Sequence, residues 1–171
     1  MAAGNTYVAI ATQTLGSNAA SVTFSSISGS YTDLVLISNA RSTISGTGNN
    51  LYCRINSDSG SNYSATELAG DGTTAYADRQ SNNSYSYIGF TSGSSSASGI
   101  FGVSVSNFQN YSNSTTYKTI VSRGGNAENS THAIVSLWRN TAAITQIVVY
   151  PAGANNFVTG STFSLYGILA A

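Results

Sequence analysis

His132 is the only imidazole in this chain and Cys53 the only thiol. With six carboxylates, Asp33, Asp58, Glu67, Asp71, Asp78 and Glu128, they are the groups that could carry acid–base or nucleophilic chemistry. A nucleophilic serine needs a base and a group that orients the base. Serine is so frequent here that one near His132 would mean little, and no G-x-S-x-G elbow occurs. His132 is therefore expected to be an ordinary strand histidine. Glycoside hydrolysis needs two facing carboxylates. Five of these six lie in or beside turn signals, where such side chains bond locally. Asp33 is expected to tie the turn that follows Tyr31. The segment from Asn56 to Asn62, N-S-D-S-G-S-N, faintly resembles a calcium loop, but it offers one carboxylate and no closing Glu. A polar loop accounts for it. Cys53 has no partner for an internal disulfide, and no zinc spacing occurs. The expectation is a protein that is not an enzyme, with no catalytic, metal or cofactor residues assigned.

What the chain has in place of titratable groups is Ser, Thr, Asn, Gly and eleven Tyr. Tyr63, Tyr76, Tyr85, Tyr87 and Tyr111 sit near loops amid Asn and Ser. Such surfaces resemble binding paratopes, where Tyr gives rigid contact area and Ser and Asn give adaptable hydrogen bonds. These five form the candidate interaction surface, and they would also suit stacking on sugars. The competing expectation is that they pack beneath long loops or at a subunit interface.

Charged residues make up 7% of the 171 positions, against about 25% in typical soluble domains. Net charge is zero and 41% of the residues are hydrophobic. That excludes the low-hydrophobicity, high-charge pattern of disorder. Zero net charge favours association. Nucleic-acid binding needs clustered Lys and Arg; here Arg41, Arg54, Arg79, Arg123, Arg139 and Lys118 are scattered and offset by acids. They suit contacts between subunits better. The first residues, M-A-A-G-N-T, show no basic or apolar leader pattern. Apolar stretches such as Ile147 to Tyr150 are too short to cross a bilayer. The expectation is a protein made in a cytoplasm, soluble and without membrane insertion.

The elements that must position these residues have a period of two. Strands are expected at Tyr7–Ile10, Ser21–Phe24, Leu34–Asn39, Leu51–Ile55, Phe101–Ser106, Tyr117–Ser122, Ala133–Trp138, Ile144–Tyr150 and Thr162–Ile168. Leu34–Asn39 and Ala133–Trp138 look apolar on both faces. Turn clusters rich in Gly, Asn, Asp and Ser separate them. Ser61 to Leu68 has the look of a helical turn, and Gly93 to Gly99 that of a long flexible loop. The whole is expected to be one domain over 1–171, an all-β antiparallel sandwich of jelly-roll-like form. Phe24, Leu36, Phe101, Ile134, Trp138, Phe163 and Leu165 are the expected core.

The run T-L-G-S-N-A-A-S-V-T-F-S-S-I from Thr14 to Ile27, followed by Y-T-D-L-V-L from Tyr31 to Leu36, resembles a recurrent module of tailed-phage virion proteins. That module is frequent in phages of cyanobacteria and other aquatic bacteria. The likeness continues in D-S-G-S-N-Y-S from Asp58, Y-K-T from Tyr117, L-W-R-N-T-A-A-I from Leu137 and G-S-T-F-S-L-Y-G-I from Gly160. It spans nearly the whole chain. Ser28-Gly29 stands where the family pattern often has Pro before the Tyr-Thr-Asp motif. The resemblance implies a virion surface location and no catalytic set. With no trunk or coiled coil in view, it implies a capsid decoration (cement) protein, a homotrimer that touches the major capsid protein or other virion proteins. The alternative it implies is a tail-fibre or spike module that recognises host surface glycan.

Overall fold

The computed structural model describes residues 6–169. Residues 1–5, where a leader was sought, and the last two residues lie outside it. Twelve strands follow one another: β1 Tyr7–Thr14, β2 Val22–Phe24, β3 Asp33–Ala40, β4 Gly48–Ile55, β5 Tyr63–Gly70, β6 Ala75–Asn83, β7 Ser86–Ser92, β8 Gly102–Phe108, β9 Lys118–Asn126, β10 Ser130–Trp138, β11 Ile147–Pro151 and β12 Thr162–Ile168. They build two antiparallel sheets. One has eight strands in the order β1-β12-β3-β8-β9-β10-β5-β6, the other four in the order β2-β11-β4-β7. The fold is the all-β antiparallel sandwich expected from the period-two pattern.

Between the sheets lies one large apolar core. Phe24, Leu36, Trp138, Phe163 and Leu165 belong to it, together with Leu51, Ile55, Phe108, Phe157 and other buried side chains. Burying each such residue contributes roughly 1.5–3 kcal/mol. Ile134 is buried in a second, smaller cluster with Ala65 and Tyr87. Phe101, placed in the core by its apolar neighbours, is instead half-buried, just before β8 begins.

The strand β7 explains much of the composition. It is an outer strand of the small sheet, yet all seven of its residues are buried. One side of its backbone is paired with β4; the other would be left without partners inside the protein, at a cost comparable to lost hydrogen bonds. Serines on the inner face of the large sheet fill that role. Ser104 Oγ accepts from Phe90 N (2.9 Å) and donates to Phe90 O (3.2 Å). Ser106 Oγ donates to Ile88 O (2.9 Å) and Ser136 Oγ to Tyr87 O (2.6 Å). These three serines are buried, as are Ser38, Ser42, Ser92 and Ser122. Serine here is therefore in large part an interior residue, not only a surface coat.

Several expectations are corrected. Ser61 to Leu68 is not helical: β5 runs from Tyr63 to Gly70, with Tyr63, Ala65, Glu67 and Ala69 turned inward and Thr66 and Leu68 outward. Ala133–Trp138 is not buried on both faces, because Ala133 and Val135 face solvent. β3 is buried on both faces only at Leu34–Leu36. Gly93 to Gly99 is not a loose loop. Arg41 donates to the carbonyls of Ser94, Ser96, Ala97 and Ile100. Glu128 accepts from Ala97 N, and Ser96 Oγ donates to Thr47 O.

Replacing Ser104 by Ala would strip Phe90 of both backbone partners. The expected loss is about 1–3 kcal/mol in urea unfolding, against no measurable change for Ser59→Ala at an exposed turn.

Candidate functional site

The five loop-proximal tyrosines do not form one surface. Tyr63, Tyr87 and Tyr111 are buried, because each hydroxyl finds an interior partner that lets the ring pack. Tyr63 Oη accepts from Ile55 N and donates to Asp58 O, both at 3.1 Å, and its ring stacks on Trp138. Tyr111 Oη donates to Ser28 O and fixes the turn before β3. Tyr85 is half-exposed and stacks on Tyr52 at 3.9 Å between ring centres. Tyr52 in turn meets Tyr87 and Tyr150 edge-on, and Arg54 lies 5.2 Å over the Tyr150 ring. Burial pushes the Tyr52 and Tyr150 hydroxyls up to about 12. Of the five, Tyr76 alone is exposed, on the edge strand β6.

Tyr87 belongs to a buried polar array that sequence reasoning did not assemble. His132 Nδ1 meets Glu67 Oε1, and Tyr87 Oη donates to the same carboxylate at 2.9 Å. Ser130 Oγ lies 2.7 Å from His132 Nε2, and Phe90 stacks on the imidazole at 4.4 Å. The atoms follow the order of a nucleophile–base–acid relay. The Ser130 hydroxyl, however, is directed at Asn129 Oδ1 (2.8 Å). The array orders the imidazole and bridges β5, β7 and β10.

The other carboxylates serve as hydrogen-bond acceptors; Asp33, expected to tie the turn after Tyr31, instead accepts from Asn110 N across to the loop after β8. Asp58 accepts from Trp138 Nε1 (2.7 Å), Asn62 Nδ2 (2.9 Å) and Gly60 N (2.8 Å). Three N–H donors around one carboxylate leave no cation site there. Among the described residues no group of three His, Cys, Asp or Glu could hold a metal ion. Asp71 is held near 2 by the backbone N–H groups of Thr74 and Thr73 and the Thr73 hydroxyl. Burial pushes the Cys53 thiol up to about 12, which makes it an inert core residue.

What the fold leaves open is the outer face of the eight-stranded sheet. Val103, Val121, Val135, Leu68 and Ile37 are exposed there. The register gathers three of them: Val121 pairs with Val135, Val135 with Thr66, and Ala133 with both Leu68 and Arg123; Ile37 and Val103 lie across Asn107 and Arg123 from that group. Leu68 is 62% exposed and Val135 51%. The guanidinium groups of Arg79 and Arg123 make no hydrogen bond or ion pair with the described residues, whereas Arg41, Arg54 and Arg139 are bound to carbonyls. At the loop end of this face a trough of about 920 Å³ opens between Phe101, Val103 and Val105 on one side and Asp71 and Thr131 on the other, with Arg123 along it. Gly125 forms part of the trough lining; a Cβ there would stand 2.1 Å from Ser130 O.

No protein family and no curated protein matches this sequence. Among solved structures, galectin LEC-6 of Caenorhabditis elegans is similar at 8% identity over 98% of this chain and 99% of that chain, with a TM-score of 0.33.

Asp58 gives a pH signature. Burial raises its affinity for a proton, but the bonds from Trp138, Asn62 and Gly60 outweigh that and hold the carboxyl below its ordinary value. A depressed folded value means that the contribution to stability is present above the unfolded value of about 3.9. It is lost as pH falls through the lower folded value. Trp138 fluorescence should therefore titrate below about pH 4 in the native chain and stay flat over that range in Asp58→Asn.

Proposed function

We propose that this chain is a phage virion structural protein, a capsid decoration protein that docks on the outer shell. The observation that carries the reading is the uncovered outer face of the large sheet. A sandwich face meant for water alternates to polar side chains; this one presents Val121, Val135 and Leu68 in adjacent rows around Ala133. Contiguous exposed apolar area of this kind marks a docking surface. The partner in this reading is the major capsid protein. The sequence resemblance supports the virion assignment and a homotrimeric state, and the charge-poor composition suits contacts through apolar, amide and hydroxyl groups. The action is mechanical. A protein that binds the assembled shell and not free subunits stabilises the shell by mass action.

A second reading, recognition of host surface glycan, is favoured by the trough. It has an apolar wall, a few polar groups and a loop already tied in place by Arg41, as small-ligand sites do.

Co-sedimentation with capsids that lack the protein tests the first reading. The native chain should pellet with the shells, and Val121→Lys combined with Val135→Lys should lower that binding by about tenfold or more, since two buried apolar contacts are replaced by charges. Light scattering of the free chain should return three times 17.6 kDa. Failure of the native chain to bind shells, or undiminished binding of the double variant, would overturn the docking assignment.

A further inference from the structure

We infer that the trough at the loop end of the outer sheet face binds an uncharged oligosaccharide, held between Arg123 and Asp71 with Phe101 as its apolar platform. This rests on the second reading above and names the ligand class and residues for it. The trough lies toward the Gly125 end of β9 and the Ser130 end of β10, whereas Val121 and Val135 lie toward the opposite ends of those strands. A shell docked on the latter leaves the former at its margin.

The polar groups left free in the trough define the ligand. Asn126 is already committed: its amide donates to Thr47 O and Ser92 Oγ, and its carbonyl accepts from Glu128 N. Asp71 uses Oδ1 for Thr73 and Thr74, which leaves Oδ2 as an acceptor. That carboxylate stays ionised across the physiological range, since its bound N–H groups hold it near 2. Arg123 is exposed and offers donors only. One acceptor and one donor group of opposite charge cancel. An anion would be repelled by Asp71 and a cation by Arg123. A ligand whose every hydroxyl both donates and accepts satisfies both.

Shape and rigidity agree with that chemistry. Phe101, half-exposed, lines the trough with Val103 and Val105, an apolar wall suited to the C–H face of a pyranose. Arg123 is on β9, and Asp71 directly follows β5, with β10 between them. Two strand spacings are roughly 9–10 Å, more than one sugar ring covers, so the ligand is an oligosaccharide. The wall residues follow a loop that Arg41 fastens through four carbonyls. A site organised before binding loses less entropy when it fills. Arg41 is thus a positioning residue.

The test is binding of the full chain to an array of neutral, uronate-containing and sialylated oligosaccharides, followed by titration calorimetry on the best neutral ligand. Neutral oligosaccharides should bind with little dependence on salt. Arg123→Gln should weaken binding by about tenfold or more with thermal unfolding unchanged, because its side chain is at the surface; Asp71→Asn should weaken binding as much, with the sheet intact by circular dichroism and a lower melting temperature from the weaker turn bonds to Thr73 and Thr74. Arg41→Ala should weaken it as well, with faster amide exchange in residues 93–100. Neutral binding that survives both substitutions would leave glycan recognition standing but remove it from this trough. Binding of acidic glycans alone would overturn the ligand class. Absence of binding to any saccharide at millimolar concentration would overturn this inference and the glycan reading together.

Discussion

The structure depends on how the backbone of β7 is satisfied. An outer strand of a four-stranded sheet normally turns its free edge to water. Here that edge is buried beneath the large sheet, and every N–H or C=O taken from water must find a partner. Ser104, Ser106 and Ser136 supply the partners from β8 and β10. A hydroxyl suits this role because it donates and accepts from a short side chain. That lets the strands approach closely enough to exclude solvent. The same constraint removes a free sheet edge that would otherwise template aggregation.

Consequences spread from that contact. With β7 held against the inner face of β8, β9 and β10, the space between β7 and β5 closes into a second small core of Ala65, Tyr87 and Ile134. Glu67 and His132 are then buried too, and they must pair with each other and with Tyr87 and Ser130. Removing one partner of such a buried pair leaves an uncompensated charge or dipole, which is why the cluster behaves as one unit. The eight-stranded sheet spends its inner face on these contacts, while its outer face stays uncovered. Function is therefore sought on the outer face and at its loop end.

Much of this fold was legible in the residues, because alternation of apolar side chains marks a strand with one buried face. β12 over Thr162–Ile168 matches the expected span, and β3, β4, β8 and β10 differ only at their ends. β6 and β7 were not legible for opposite reasons. β6, A-Y-A-D-R-Q-S-N-N, is exposed along nearly its whole length and carries no apolar alternation. β7 is buried on both faces, and its backbone groups at Tyr87, Ile88 and Phe90 are satisfied by serine side chains from other strands. The site was less legible still. Tyr63, Tyr87 and Tyr111 stand in polar stretches, yet each hydroxyl is used inside the protein, which no local pattern reveals. Phe101 looked like core from its alternation with Val103 and Val105, but β8 turns Gly102, Ser104 and Ser106 inward and that apolar face outward. The exposure of Ala133 and Val135 was hidden by their apolar character, which suggested burial. That mismatch between type and exposure is the signal that now marks the outer face.

The central claim is that this chain works on the outer shell of a virion through that face. Immunogold electron microscopy of the intact virion, with antibody raised against this chain, tests it most directly. Label over the head is the predicted result. Label confined to the tail tip, or virions without label, would contradict it.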